Sequence, residues 1–383
     1  MEKLAYRHFE DFFKSVPVDI DSQVELANMY PSFFENAEAL ALESPVTISE
    51  IKEVIHLMAA DKSPGPDGWP AEFLKVFFDV LGPELLNMVE DSRTRGVVPG
   101  SLNATFIALI PKCSKPNSFA DFRPISLCNM LYKIISKVIA NRIKPYLAKH
   151  ISPAQFGFLP ERQIIEAIGI AQEGVHSIKT KKIQSIILKL DLSKSYDRVN
   201  WDMLHLILGQ IGLPFKVIKW IMACVTSVNY AVLVNGSPSQ FYQAGRGLRQ
   251  GCPLSPLLFL LIIEGLSRMI VAGKVSGKVF GIQISRALAI SHLLFVDDIV
   301  LFGSVSIEEW RHLCGILERF CIASGMCINY EKSLLLPHGI EHDTLSLILG
   351  LFPATVGDFD LGLKYLGYLI KANCYHSSDR LWL

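Results

Sequence analysis

The sequence has no excess of charge of either sign: 37 lysines and arginines stand against 37 aspartates and glutamates. That excludes a uniformly basic surface, so any cations that grip a polyanion must be segregated on one face. Its eight cysteines never form a C-x-x-C pair, which leaves reduced, mostly buried thiols as the plain reading. The longest wholly apolar run near the centre, Leu257–Ile263, is far too short to span a bilayer. The opening "MEKLAYRHFEDFFKSV" lacks the basic-then-apolar plan of a secretory leader. Repeats and low-complexity tracts are also missing. These absences predict an intracellular protein with no membrane span.

What is present is core-forming material. Half of the 383 residues are hydrophobic, enough for two or three packed subdomains. Residues 1 to about 60 read as amphipathic helices, closed by the turn cluster "DKSPGPDGWP" (61–70). "ATFIALIPK" reads as a strand ending at Pro111. After "FRPISL" a helix carries Leu131, Ile134, Ile135 and Val138 at helical spacing, with Lys133, Lys137 and Lys144 on its other side. "SIILKLD" (185–191) is a buried strand with Asp191 at its end. Asn200 caps a helix that Gly212 and Pro214 stop. "NYAVLVNGSPSQFYQ" is a hairpin turning at Asn235-Gly236. Ser255-Pro256 opens a buried helix running to about Ile270. Ser306 and Glu309 form a capping box for a helix that ends at Gly325. The order of elements predicts an α+β fold with an antiparallel sheet.

The chemistry starts from "SHLLFVDDIVLFG" (291–303), a hairpin with two adjacent carboxylates, Asp297 and Asp298, at its tip. Burying neighbouring charges costs several kcal/mol each unless something compensates them. A third carboxylate, Asp191, ends a buried strand and can converge on the same sheet edge. Three such groups stay ionised only near a hard cation, and oxygen-rich sites select Mg²⁺ or Mn²⁺. Two such ions roughly 3.5–4 Å apart can activate a hydroxyl and stabilise a pyrophosphate leaving group. The bland alternative is a solvated turn, the usual fate of an Asp-rich hairpin tip.

The neighbouring blocks decide between them. "LKLDLSKSYDRVNW" (188–201), "GLRQGCPLSPLLF" (247–259), "FVDD" (295–298) and "INYEKS" (328–333) stand in the order of a polymerase palm. Upstream come "KSPGPDGWPAEFLK", "ATFIALIPK", "DFRPISLCNMLYKIISKVIANRI" and "SPAQFGFLPERQI". Together, over roughly residues 50–370, they closely resemble the reverse transcriptase of LINE-type (non-LTR) retrotransposons, plant-like in flavour. The resemblance implies a right-hand polymerase fold with fingers and palm, the antiparallel palm sheet packed on helices and the thumb largely missing. Its divisions would be 1–92, a helical extension and the start of the fingers; 93–370, the reverse transcriptase domain; and 371–383, a truncated tail. The implied reaction adds dNTPs to a DNA primer 3′-OH on an RNA template, in the nucleus.

Carried over by position, Asp191, Asp297 and Asp298 match the metal-binding aspartates, and the Leu192 carbonyl would be a backbone ligand for two Mg²⁺ (or Mn²⁺) ions. Tyr196 matches the aromatic gate that collides with a ribose 2′-OH. Gln250 and Gly251 sit where the family contacts the incoming nucleotide. Lys112 and Arg123 match cations that hold the triphosphate, and Lys332 the lysine that protonates pyrophosphate. "KYLGYLI" (364–370) resembles the primer-grip hairpin. Lys112, Arg123, Lys133, Lys137, Arg246 and Arg249 are the candidates for a wall of cations facing nucleic acid.

Three departures stand out: FVDD where this group usually has FADD, Ser195 for a common Ala, and Trp69 for a common Phe. Nothing in the sequence resembles the endonuclease of these elements, and it ends before a full thumb. The second reading is therefore a catalytically idle relic that folds and at most binds nucleic acid. "HGIEH" (338–342) fits the H-x-x-E-H zinc-peptidase pattern, but Pro337 and Gly339 bracket its first histidine, which predicts a loop and no zinc site. "LDLSKS" has Ser193 where a haloacid-dehalogenase-type phosphatase needs a second aspartate.

Overall fold

The buried strand Ser185–Leu190 organises a five-stranded sheet, which runs Thr355–Val356, Leu334–His338, Ser185–Leu190, Asp298–Ser304, His292–Phe295. Four of these strands pair antiparallel, and only the short Thr355–Val356 rung is parallel to its neighbour. The central position explains the run of β-branched and leucine residues. Ser185, Ile186, Ile187, Leu188 and Leu190 are all buried, as a strand covered on both faces requires.

The computed structural model describes residues 1–285 and 288–372, and its chain divides into two compact units. One comprises Met1–Pro17, Pro31–His150 and Tyr196–Phe259; the other comprises Val18–Tyr30, Ile151–Ser195 and Leu260–Leu383.

The first unit holds helices Glu2–Phe13, Ile48–His56, Phe78–Arg95, Met130–His150, Trp201–Gln210 and Phe215–Thr226, with several shorter ones. Its sheet pairs Ala104–Pro111 antiparallel to Phe122–Cys128 and parallel to Asn229–Val234. Asn235 and Gly236 both have positive φ, the type I′ geometry that the Asn-Gly pair predicts. Phe9, Phe13, Ile107, Tyr230, Val232 and Tyr242 form one apolar cluster there. The turn cluster also caps a helix. The Asp67 carboxylate accepts from the Met130 N–H at 2.7 Å, at the start of Met130–His150. Within that helix Ile134, Ile135 and Val138 are fully buried, while Lys133 and Lys137 are half-buried and Lys144 is exposed.

The second unit packs Ile164–Thr180 and Ile307–Ser324 with the five-stranded sheet. Val175, Ile187, Val300, Phe302 and Leu336 lie in one apolar cluster. The Ile307–Ser324 helix ends at Gly325 in the left-handed conformation, as expected. Only half of the expected capping box forms. The Ser306 hydroxyl accepts from the Glu309 N–H, but the buried Glu309 carboxylate accepts from Phe280, Gly281 and Ser304 N–H groups instead of Ser306. "KYLGYLI" does make a hairpin, Leu363–Tyr365 with Tyr368–Ile370. His338 ends a strand and Gly339 has φ 66°, so "HGIEH" is no helical zinc motif.

The helix expected from Ser255 runs to Val275, five residues beyond Ile270. It is long and apolar enough to cross a membrane by length and composition, and 78% of its most apolar window is buried inside the protein. The expected tail from 371 lies, from residue 373 on, outside the described residues.

Candidate active site

The aspartate hairpin closes with Asp298 paired to Phe295, leaving Val296 and Asp297 as a two-residue turn. Val296 has φ 58°, a left-handed value that a β-branched residue resists. Across the sheet, the last rung with the neighbouring strand pairs Ile299 with Leu190. Asp298 and Asp191 lie one residue beyond that rung on their two strands, and the charge of Asp191 acts on Asp298. A strand end and a hairpin tip thus bring Asp191, Asp297 and Asp298 to one end of one sheet.

Their electrostatics follow from that register. Burial raises the Asp298 carboxyl above its ordinary value; Lys189 pulls it back, and the charges of Asp297 and Asp191 push it up again. Lys189 shares the face of Asp191, and its ammonium donates to the Lys364 carbonyl at 2.7 Å. The Asp297 carboxylate accepts from the Ser195 hydroxyl at 2.8 Å. Among the described residues, no three His, Cys, Asp or Glu side chains are arranged to enclose a metal ion. What fits a hard cation is the donor chemistry: neighbouring carboxylates at a partly buried edge, with Asp298 held above its ordinary value.

The backbone of Asp191 is held on both sides by the "INYEKS" segment. Its N–H donates to the Ser333 hydroxyl at 3.1 Å, and its carbonyl accepts from the Asn329 N–H at 2.8 Å. Ser193 N–H also bonds to the Cys327 carbonyl, so Leu192 faces Ile328 as a non-hydrogen-bonded pair. In such a pair the Leu192 carbonyl points away from the Ile328 strand. Lys332 lies exposed on the same segment, its N–H donating to the Asn329 side chain at 3.2 Å.

The other candidates belong to the first unit. Register places Arg123 opposite Ile110, and the Lys112 N–H donates to the Asp121 carbonyl. Lys112 and Arg123 therefore share one face at the end of a two-stranded ribbon, and both are exposed. The Gln250 carbonyl accepts from the Ser126 N–H at 2.9 Å. Gly251 follows with φ 113°, and a Cβ there would meet the Ser126 oxygen at 2.8 Å, so only glycine fits. The Tyr196 ring stacks on buried Phe259, centroids 4.3 Å apart and planes within 5°.

Two of the expected wall cations bond to the protein itself. Arg249 is buried, donating to the Asn103 side-chain oxygen, to Thr105 at 3.2 Å and to the Cys224 carbonyl at 2.7 Å, with its guanidinium 3.9 Å from the Tyr132 ring centre. Arg246 is half-buried and spends its fork on the Phe12 carbonyl. Burial takes Arg249 out of reach of phosphate, which corrects that assignment, whereas Arg246 spends two of its five donors on one carbonyl and stays half-exposed.

Sequence reasoning also missed the supporting side chains. Ser333 and Asn329 fix Asp191, Ser195 holds Asp297, and the amide oxygen of buried Gln155 accepts from the Val296 N–H. All four lie inside the motif blocks, but nothing in residue type distinguishes such a support from an ordinary polar position.

Residues 110–370 match the model of the reverse transcriptase (RNA-dependent DNA polymerase) family. That is well over half of the chain, and the protein belongs to this family of nucleotidyltransferases. It is 29% identical over 379 residues to an uncharacterized 149 kDa protein of transposon TX1 from Xenopus laevis, covering 98% of this chain and 28% of that relative. It is 26% identical over 275 residues to the Pol polyprotein of the type-2 retrotransposable element R2DM from Drosophila melanogaster, covering 72% of this chain and 25% of the relative. Similarity to the RNA-directed DNA polymerase of mobile element jockey, also from Drosophila melanogaster, is 26% over 224 residues, 56% of this chain and 24% of the relative. The chain thus spans about a quarter of the length of these relatives. All three come from animals, and the plant-like flavour of the motifs gains no support from them.

Proposed function

We propose that this chain is the RNA-directed DNA polymerase domain of a non-LTR retrotransposon protein, extending a DNA primer along an RNA template with dNTPs. The observation that carries the reading is that Asp191 and Asp298 lie one residue beyond the last rung between their strands, with Asp297 next to Asp298, inside motif blocks in polymerase order. On this reading the five-stranded sheet is the palm, the Lys112–Arg123 ribbon belongs to the fingers, and the Leu363–Ile370 hairpin is the primer grip. The division at 1–92, 93–370 and 371–383 remains part of the same proposal.

Asp191, Asp297, Asp298 and the Leu192 carbonyl would hold two Mg²⁺ or Mn²⁺ ions, which supply nucleophile activation and leaving-group stabilisation. The protein's own groups position the reactants. Lys112 is a point charge and Arg123 a planar fork for the triphosphate. Gln250 and Gly251 hold the incoming nucleotide, Tyr196 rejects the ribose 2′-OH, and Lys332 gives a proton to the departing pyrophosphate. Most of the rate comes from positioning and electrostatics, as in phosphoryl transfer generally. A polymerase of this kind acts on nucleic acid in the nucleus and needs no membrane.

One observation favours the second reading, a folded relic without activity: Lys189 offsets the charge of Asp298 from within the protein. Primer extension on poly(rA)/oligo(dT) with Mg²⁺ or Mn²⁺ separates the two. Incorporation of dTTP that vanishes in Asp298→Asn supports the polymerase; a well-folded chain that incorporates nothing with either metal is the relic.

A further inference from the structure

The hairpin that carries Asp297 and Asp298 has a weak point, the valine at its tip. Left-handed backbone is unfavourable for a residue branched at Cβ, and a two-residue turn by itself does not enforce it on valine. In such a turn the N–H of the first central residue points away from the ladder, toward solvent. Here it does not go to solvent. Val296 is buried, and its N–H donates to the Gln155 amide oxygen at 2.9 Å.

The same oxygen accepts the Gly157 N–H, also at 2.9 Å. Two N–H donors on one atom require that atom to be the oxygen, which fixes the orientation of the amide. Gln155 is fully buried, and its Nε2 finds no partner among the described residues. The acceptor end is satisfied and the donor end is not, so the arrangement serves Val296 rather than the glutamine.

The segment that carries Gln155 is itself anchored to the hairpin. Leu294 N–H donates to the Ala154 carbonyl at 2.8 Å, and Phe156 N–H to the Leu294 carbonyl at 2.9 Å, a parallel bridge between Gln155 and Leu294. Arg162 ties the segment down from the other side through the carbonyls of Ile151, Ser152 and Gln155. Gly157 supplies the space. A Cβ there would lie 2.4 Å from Val296 Cγ2 and 3.0 Å from Val296 N. The glycine is therefore required for close approach of the valine that the glutamine holds.

We propose that Gln155 and Gly157 are positioning residues: a clamp that keeps Val296 in its left-handed turn and thereby fixes where Asp297 and Asp298 stand. The proposal rests on the reading of that hairpin as catalytic, but the clamp itself does not need it. If the clamp compensates the valine's resistance, a residue at 296 without that resistance makes the clamp redundant.

The test is a cycle of Gln155→Met, Val296→Gly and the double variant, read in two ways. Urea unfolding and hydrogen exchange report the clamp without activity. In the wild type the Val296 amide should exchange at least a hundredfold more slowly than an open turn amide. Gln155→Met should lower the unfolding midpoint, and the double variant should recover part of it relative to an additive loss. Primer extension reports the consequence: Gln155→Met should lose tenfold or more in kcat with the dNTP KM within about twofold, and adding Val296→Gly should restore most of that rate. Gly157→Ala should behave like Gln155→Met, with partial recovery on adding Val296→Ala, which removes Cγ2.

A fast-exchanging Val296 amide in the wild type overturns the clamp even if Gln155→Met fails to fold. So does purely additive behaviour of the double variant. A coupled cycle in a chain without polymerase activity would leave the clamp standing and remove the catalytic reading. An active wild type with no coupling would do the reverse.

Discussion

Two regions of this chain concentrate charge, and they treat it in opposite ways. Around Arg249, in the first unit, a buried cation makes three hydrogen bonds to protein acceptors, Asn103, Thr105 and the Cys224 carbonyl near a helix C-terminus, and lies over the Tyr132 ring. Among the described residues no carboxylate lies within ion-pair distance of it. Its titratable neighbours are thiols and phenols, including Cys252. Burial pushes the Cys252 thiol up, but Arg249 and the Tyr132 hydroxyl, 3.2 Å from the sulfur, bring it below its ordinary value. At the sheet end of the second unit, by contrast, burial and then the charges of Asp297 and Asp191 raise the proton affinity of Asp298. A charge completed by protein groups is structural, whereas charges set against one another mark a candidate ligand site.

The comparison is broken first at the carboxylates, where the largest effect is expected. Asp298→Asn should lower primer extension about a thousandfold, the scale of losing a preorganised electrostatic contact. It should leave the unfolding midpoint unchanged or raise it, because a repelled charge is removed. A variant that loses stability along with activity would mean that these carboxylates hold the fold together.

Arg249 should behave the other way round. Arg249→Met strands buried acceptors and should cost roughly 3 kcal/mol in urea unfolding, whether or not the chain polymerises. Arg249→Lys, which keeps the charge and loses the planar fork, should fall in between. Unaltered stability with weakened binding of a primer–template would return Arg249 to the nucleic-acid wall from which its burial removes it.

A third charge, Glu264, sharpens the contrast because it is buried yet adjustable. Burial pushes its carboxyl up to about 7, against the pull of Arg268, whose side chain lies 3.0 Å away, and of the Ser152 N–H. Its folded value lies above its unfolded one, so the folded state holds the proton longer. Its contribution to stability is thus fully present below about pH 4.5 and is lost as pH rises through 7. The loss should be on the order of 2 kcal/mol, and Glu264→Gln should flatten that slope. An unaltered slope would assign the titration to another group.

How much of this was legible in the sequence follows from the same contrast. Periodicity and turn chemistry gave the strands at 104 and 185, the Asn235-Gly236 turn and the Gly325 cap, because each depends on local residue type. The convergence of Asp191 with Asp297 and Asp298 was readable because a strand end and a hairpin tip are recognisable places. The fates of Arg246 and Arg249 were not, since an arginine looks the same whether its acceptors are phosphates or buried carbonyls. Glu309 was misjudged for a related reason. Its spacing from Ser306 fits a capping box, but tertiary N–H groups from Phe280 and Gly281 compete for the carboxylate. Gln155 lay in a block the motifs already marked, and only the distance to Val296 gives it a role.

The smallest effect concerns Ser195, which replaces the alanine common in this group. The hydroxyl is buried and donates to one oxygen of Asp297 at 2.8 Å, leaving the second oxygen to other partners. A hydrogen bond to a metal-ligating carboxylate orients it, and losing such a support costs about tenfold in metal affinity at the low end. Because alanine is the usual residue here, the loss in this chain should be smaller, a few-fold. Ser195→Ala should therefore raise the half-saturating Mn²⁺ concentration a few-fold, read by Mn²⁺ paramagnetic resonance on the protein alone, with kcat at saturating metal within about twofold. Tighter Mn²⁺ binding in Ser195→Ala would show the opposite: the hydroxyl would be competing with the cation for Asp297, as Lys189 opposes the charge of Asp298.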